Sequence, residues 1–159
     1  MPKPRRTSNG TTASPEIVTG IASPLNHRAS FLVRIAQLRS FDEFHRHFAG
    51  LGVTPAGFSV LAIVAANPGI RPGAIAEELC IKPSNVAALV NGLVAQGYVR
   101  RTPDATELRA NLLTMTDTGA KAWREMERAL EATDAGFLAG LDAAERRQFL
   151  ALLRKLLHR

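Results

Sequence analysis

The sequence predicts a mainly α-helical protein with six helices and one small β-hairpin between the fourth and fifth helices. Three observations lead to this prediction. Apolar residues recur at intervals of three and four along most of the 159 residues, as they do on one face of a helix. Prolines and capping residues mark the points where helices begin. The helical period is lost after Gly97, where two extended segments flank a polar stretch.

Composition limits the class of protein. The chain has a formal net charge of +6, 46% hydrophobic residues and one cysteine. That apolar fraction is enough for a folded core, and the positive charge favours a polyanionic partner. A single cysteine excludes an intramolecular disulfide framework. No apolar run approaches the roughly 20 residues that cross a bilayer, and the start of the chain lacks a secretory signal. We therefore expect a cytoplasmic protein.

Residues 1–24 predict a flexible basic tail. They are rich in Pro, Ser, Thr and Gly and show no helical or strand period, so they bury too little surface to offset the entropy of ordering. Lys3, Arg5 and Arg6 could add contacts to phosphates. An ordinary solvated tail is the simpler interpretation.

The helical period begins after Pro24. It predicts a first helix from about Asn26 to Phe48, ended by Gly50. A second helix follows, with Thr54 as its N-cap and Pro55 at its first position. This helix is almost entirely apolar, so we expect it to be buried.

Two short helices then follow back to back. The first runs from Pro72 to about Leu79 and the second from Pro83 to about Gln96, and Gly97 stops the second. Only residues 80–82 separate them. A turn this short forces the two helices to cross steeply, which predicts a helix-turn-helix whose second helix can enter a major groove.

The two extended segments predict a β-hairpin wing. Residues 98–101 form the first strand, TPDATEL is a polar turn segment, and residues 109–115 form the second strand. Arg100 and Arg101 make this part of the chain basic.

The two ends of the chain predict a homodimer. Thr116 caps a long fifth helix that runs from Asp117 to about Leu138, and Asp142 with Glu145 forms a capping signature for a last helix. Apolar residues cover more than one face of the last helix and of the first. One subunit offers too little surface to cover both, so we expect the terminal helices to meet those of a second copy. These apolar residues are Phe31, Leu32, Ile35 and Leu38 in the first helix, and Phe149, Leu150, Leu152, Leu153, Leu156 and Leu157 in the last.

The order of elements, with GYVRRTPDATELRA followed by NLLTMTDTGAKAW, resembles the MarR family of winged helix-turn-helix transcription regulators over about residues 26–158. Several family features fall at the expected spacings: Gly97 after the recognition helix, Arg101 in the strand, Glu107 with Arg109 in the wing, and Met115-Thr116 with Gly119 at the fifth helix. The resemblance implies a six-helix dimer in which residues 25–50 and 117–159 form the dimerisation helices. Residues 54–115 then form the DNA-binding lobe.

The resemblance also implies roles in DNA binding for the wing. Arg109 would enter the minor groove and Glu107 would orient it; the alternative is a surface ion pair of little energetic weight. Arg71 and Arg101, with Arg100, are candidate contacts to the DNA backbone. Each of these three arginines could equally be an ordinary solvated charge.

The recognition helix departs from the family's pattern. Lys82 supplies charge, and Ser84 and Asn85 can reach the backbone or base edges. Ala87 can touch only a thymine methyl group. At four positions of this helix the family commonly has a hydroxyl, an Arg, an Asp and an Arg. This sequence has, in the same order, Ala87, Ala88, Asn91 and Gly92. We therefore expect poor direct base readout. DNA binding should depend more on contacts to phosphates, on the wing and on the shape of the DNA.

Other candidate sites have simpler interpretations. By resemblance, His45, Arg46 and Phe58 could line a crevice that accepts a small aromatic anion, although core or surface roles would also explain them. His45 and His47 point to different faces of a helix and no ligand cluster accompanies them, so we expect no metal. We expect Cys80 to pack as a small apolar residue and not to sense peroxide.

Together with the resemblance, these features predict a homodimeric transcription regulator, and the resemblance implies a ligand-responsive repressor of a pseudo-palindromic double-stranded DNA operator. No catalytic motif is found, so we expect neither an enzyme nor a bound cofactor. The alternative is a dimer that kept this fold to bind a ligand or protein while its DNA readout weakened.

Overall fold

The computed structural model describes residues 23–104 and 111–158. It confirms the predicted fold class, because six helices and a two-stranded antiparallel hairpin follow one another in the expected order. The predicted tail lies almost wholly outside the described residues. The elements are α1 Ala29–His47, α2 Pro55–Ala66, α3 Pro72–Glu78, α4 Pro83–Ala95, β1 Val99–Pro103, β2 Asn111–Met115, α5 Asp117–Phe137 and α6 Ala143–Leu156.

Side-chain caps mark where three of the six helices begin, namely α2, α5 and α6. The Thr54 hydroxyl accepts a hydrogen bond from the Gly57 amide at 3.1 Å at the start of α2. At α6, the Asp142 carboxylate accepts from the Glu145 amide at 2.9 Å, and the Glu145 carboxylate accepts from the Asp142 amide at 2.8 Å. This reciprocal arrangement is the predicted capping box.

The predicted start of the first helix is wrong by three residues. Residues 24–27 form turns, in which the Asn26 amide donates to the Ser23 carbonyl at 3.2 Å and the Arg28 amide to the Leu25 carbonyl at 2.9 Å. Arg28 has extended backbone angles, with φ −98° and ψ 118°. The helix therefore begins only at Ala29, because the extended backbone of Arg28 lies outside the helical conformation.

The core joins the helix-turn-helix and wing to the long helices. Its centre is aliphatic and fully buried, with side chains from α2, α3, α4 and both strands: Val60, Leu61, Val64, Ile75, Val86, Val90, Val99 and Leu113. An aromatic cluster continues it toward α1 and α5. Phe44 stacks on Phe48 with ring centroids 3.8 Å apart, and Phe58 stacks on Trp123 at 5.5 Å.

Helix α6 contributes no buried residue in the single chain. Its contact with α5 includes the rings of Phe137 and Phe149, 6.3 Å apart. Leu152 and Leu156 are 58% and 67% exposed, and large apolar side chains of α1 are exposed as well. In the described part of the chain, no helix combines the length and hydropathy needed to cross a bilayer.

Candidate nucleic-acid interface

Helix α4 separates a buried face from an exposed face of short side chains. Val86, Val90 and Leu93 are buried against the core. The exposed residues include Lys82, which is the N-cap, with Ser84, Asn85, Ala87, Ala88, Asn91 and Gly92. Between Pro83 and Ala95 the exposed face contains no Lys or Arg. The helix therefore offers amide, hydroxyl and methyl groups to a groove, with one ammonium group at its start.

The turn before α4 differs from our expectation for Cys80. That residue is exposed and adopts a left-handed conformation, with φ 52°. Its amide donates to the Glu77 carbonyl at 3.2 Å. The prediction of a packed small residue is wrong, since the tight link between α3 and α4 requires a positive φ here and turns the side chain to solvent.

A short segment before α3, residues 69–70, pairs with the wing, and the sequence did not reveal this pairing. Arg101 pairs with Leu113 in the antiparallel register of β1 and β2. On its other side, Leu113 accepts a hydrogen bond from the Gly69 amide at 2.8 Å and donates to the Ile70 carbonyl at 2.9 Å. The base of the wing is therefore joined directly to the segment that leads into α3. Glu107 and Arg109 lie outside the described residues.

Arg101 contacts the recognition helix. Its Nη2 atom donates to the Asn91 Oδ1 atom at 2.6 Å, and both residues are exposed. From the sequence, Arg101 was predicted to contact the DNA backbone, and Asn91 was a departure from the family's pattern. The structure brings them together, so that strand β1 is tied to the middle of α4.

Arg71 forms an ion pair with Asp104, a residue for which the sequence predicted no functional role. The Arg71 Nε and Nη2 atoms lie 3.0 and 2.5 Å from the Asp104 Oδ2 atom. The Asp104 side chain is 6% exposed, whereas that of Arg71 is 48% exposed. Arg71 is the N-cap of α3, and Asp104 directly follows β1. The signal that could have found it was an acidic residue, Asp104, shortly after the basic residues Arg100 and Arg101.

The junction between α4, β1 and α5 explains the motif that opens α5. The Thr116 hydroxyl accepts from the Gly119 amide at 3.0 Å and donates to the Gly97 carbonyl at 2.5 Å. Gly97 itself has φ 74°. A Cβ atom on Gly119 would overlap the Tyr98 carbonyl oxygen and lie 2.9 Å from its carbon. The motif therefore needs glycine at 119 because the Tyr98 backbone passes so closely.

The three residues predicted for a ligand crevice have different surroundings. The His45 Nδ1 atom lies 2.6 Å from the Phe41 carbonyl oxygen, and Arg46 contacts both Glu43 carboxylate oxygens at 2.8 Å. Phe58 is buried in the aromatic cluster. One cavity of about 600 Å³ lies along α5 beside Trp123 and another of about 180 Å³ lies between α2 and α4, and none of the three residues lines either. The ligand crevice stays a prediction.

No group of three or more His, Cys, Asp or Glu side chains is close enough to hold a metal ion within residues 23–104 and 111–158.

Comparison with known proteins identifies relatives of the whole chain. Residues 51–110 match the MarR family. A putative transcriptional regulatory protein for the hcr operon of Thauera aromatica is 30% identical over 152 residues, which cover 95% of this chain and 92% of that protein.

Two solved structures share the fold. The PcaV transcriptional regulator from Streptomyces coelicolor, in complex with its natural ligand, has a TM-score of 0.78 and 25% identity, and the alignment covers 87% of this chain and 97% of that one. The transcriptional repressor CouR, bound to a 23-mer DNA duplex, has a TM-score of 0.75 and 30% identity, with coverage of 80% and 91%.

Proposed function

Since this chain belongs to the MarR family of transcriptional regulators, we propose that it is a ligand-responsive repressor that binds a pseudo-palindromic DNA operator as a homodimer. The observation that supports this most directly is the exposed face of α4 beside a basic wing, on a fold shared with the DNA-bound repressor CouR. The family consists of transcriptional regulators, and we assign no catalytic activity. We infer a cytoplasmic location, where such an operator is accessible.

In this proposal α4 lies in the major groove. Ser84 and Asn85 face bases or phosphates near the start of the helix, and Lys82 neutralises a phosphate. Ala87 contacts a thymine methyl group. Because these side chains are short, base readout is weak, and much of the affinity comes from contacts to the DNA backbone.

The wing supplies the other contacts. Arg109 enters the adjacent minor groove, where narrow A·T-rich sequence concentrates negative potential, and Glu107 orients its guanidinium. Arg71 contacts the DNA backbone from the start of α3. Arg101 contributes positive charge while its hydrogen bond to Asn91 holds β1 against α4.

The dimer forms through residues 25–50 and 117–159, while residues 54–115 form the DNA-binding lobe. The exposed leucines of α6 and the exposed apolar side chains of α1 support this division, because a second copy would remove both surfaces from water. The two recognition helices of the dimer would then reach successive major grooves about 34–36 Å apart.

Ligand control is the remaining part of the proposal, and the ligand-bound PcaV structure supports it. We assign a small aromatic anion to the crevice near His45, Arg46 and Phe58. Binding there would change the separation of the two DNA-binding lobes, so that both half-sites of the operator could no longer be occupied together.

The test is a salt-titrated binding assay with DNA from the gene's own upstream region. We expect tight binding at low salt. The slope of log Kd against log salt should correspond to several phosphates neutralised by the protein. Arg109→Ala should weaken binding at least about tenfold while leaving the dimer intact. Absence of binding at low salt would refute the proposal.

The short side chains of α4 favour a second candidate, a dimer that binds a ligand or protein and has lost DNA readout. The same titration with random DNA distinguishes the two functions. A regulator shows a steep salt dependence even on random sequence, because phosphate contacts dominate nonspecific binding. A dimer without DNA readout shows no such slope.

The dimer itself is tested with Leu152→Asp combined with Leu156→Asp. Both side chains are exposed in the single chain, so the substitutions leave its core intact. We expect light scattering to report a monomer with nearly unchanged helix content. A dimer of normal affinity would show that α6 lies outside the interface.

A further inference from the structure

A buried carboxylate lies at the base of the proposed DNA-contacting wing. Asp104 has a side chain that is only 6% exposed, although it directly precedes the segment that contains Arg109. A negative charge next to a polyanion lowers affinity by simple Coulomb repulsion. Such a residue in this position needs a compensating role.

The contacts of Asp104 indicate that role. Its Oδ2 atom accepts from two nitrogen atoms of Arg71, at 3.0 and 2.5 Å, across 33 positions of sequence. A carboxylate that binds two atoms of one guanidinium fixes the plane of that group, which a single contact does not. Nearly half of the Arg71 side chain still faces solvent. The Arg71 guanidinium is therefore held by a buried partner, while the side chain as a whole remains partly exposed.

The surrounding backbone makes this arrangement rigid. Ile70, directly before Arg71, is hydrogen-bonded to Leu113 of β2. Arg71 is the N-cap of α3, and Asp104 follows the last residue of β1. The ion pair therefore joins the start of α3 to the first strand of the wing, beside the backbone hydrogen bonds that join the same loop to the second strand.

We propose that Asp104 is a positioning residue for DNA binding, which holds the Arg71 guanidinium in a fixed orientation toward a DNA phosphate. This inference rests on the proposed DNA-binding function. It assigns a favourable contribution to an acidic residue at the interface, since an oriented arginine pays less entropy on contact with phosphate than a mobile one.

This role predicts an effect with the opposite sign to that expected from charge alone. Asp104→Asn removes a negative charge, so electrostatics alone would strengthen DNA binding. Loss of the oriented Arg71 contact instead weakens binding, because each protomer then contacts about one phosphate fewer. The slope of log Kd against log salt becomes shallower by about 0.9 per protomer. A general loss of folded protein would lower the apparent affinity without changing that slope.

The experiment measures fluorescence-anisotropy titrations of the full chain with a duplex from its upstream region, over a series of KCl concentrations. The variants are Asp104→Asn, Arg71→Ala and the double variant. Glu77→Gln is the matched control, because Glu77 is an exposed acid on α3, the helix that Arg71 directly precedes. We expect Asp104→Asn and Arg71→Ala each to weaken binding by roughly five- to tenfold with the shallower slope. The double variant should be no weaker than Arg71→Ala, and Glu77→Gln should bind as tightly as the unmodified chain or more tightly.

Each outcome decides a different claim. If Asp104→Asn binds as tightly as the unmodified chain or more tightly, or if the two losses add in the double variant, the positioning role is refuted while DNA binding stands. If the unmodified chain itself does not bind the duplex, the proposed function is refuted and this inference with it. If Asp104→Asn is unfolded by circular dichroism, Arg71→Lys replaces it, because a lysine keeps the charge but not the two-atom contact. Reduced affinity of Arg71→Lys then supports the role, and unchanged affinity overturns it.

Discussion

Gly119→Ala tests whether the junction of α4, β1 and α5 is as tightly packed as the structure indicates. Gly119 lies in the first turn of α5, where its amide donates a hydrogen bond to the Thr116 hydroxyl at 3.0 Å. A Cβ atom there would overlap the Tyr98 carbonyl oxygen and lie 2.9 Å from both the Tyr98 carbonyl carbon and the Met115 Cγ atom. The Tyr98 carbonyl is backbone and cannot turn aside as a flexible side chain can.

The cost follows from what must move. The Tyr98 carbonyl accepts a hydrogen bond from the Thr116 amide at 3.0 Å, and a displacement that relieves the overlap weakens that bond. Overpacking a well-packed site costs about 1–3 kcal/mol, and a lost hydrogen bond about 1 kcal/mol more. We therefore expect Gly119→Ala to lower the free energy of unfolding by about 2–4 kcal/mol.

Urea denaturation followed by circular dichroism measures the change, with Gly92→Ala as the control. Gly92 is in the interior of α4, and no atom lies within 4 Å of where its Cβ would be. Alanine there should raise the free energy of unfolding by up to about 1 kcal/mol, through helix propensity alone. Equal stability of Gly119→Ala and the unmodified chain would show that Tyr98 does not constrain position 119.

Three further predictions concern local features. Cys80→Gly should raise the free energy of unfolding by about 0.5–1 kcal/mol, because glycine removes the steric cost of the left-handed conformation; lower stability in urea would contradict this. Asp142→Ala should cost about 1 kcal/mol by removing the N-cap of α6, and an unchanged thermal midpoint would show that the capping box adds nothing. A double-mutant cycle of Asn91→Ala and Arg101→Ala should give a coupling of about 0.5–1 kcal/mol in chemical unfolding, whereas strictly additive losses would mean that their hydrogen bond is absent in solution.

The starts of five of the six helices were predictable because their signals are local. Thr54 and Pro55 stand next to each other at the start of α2, and Asp142 lies only three residues from its capping partner. The beginning of α1 was not predictable to the residue, since Arg28 provides no side-chain cap. A helix without a capping signal has a start that depends on backbone angles, and periodicity alone does not reveal these.

The polar contacts of the candidate interface were harder to predict because they are not local. Arg71 and Asp104 are 33 residues apart, and their partnership depends on how the wing folds back against α3. Arg101 was identified as a basic residue of the strand, but its hydrogen bond to Asn91 requires the relative placement of β1 and α4. The residue types were visible in the sequence, whereas the pairs arose from tertiary structure. Glu107 and Arg109 remain as predicted by resemblance, outside the described residues.

The exposed leucines of α6 have a consequence for how protein concentration governs this regulator. If partner copies cover them, association stabilises the folded chain by mass action, and the melting temperature rises with protein concentration. At low copy number, the amount of assembled dimer falls with the square of the amount of free chain. If the dimer represses an operator as proposed, occupancy of the operator would change more steeply than the concentration of the protein in the cell. Gradual dilution of the protein during growth would then relieve repression over a narrow range of protein concentration.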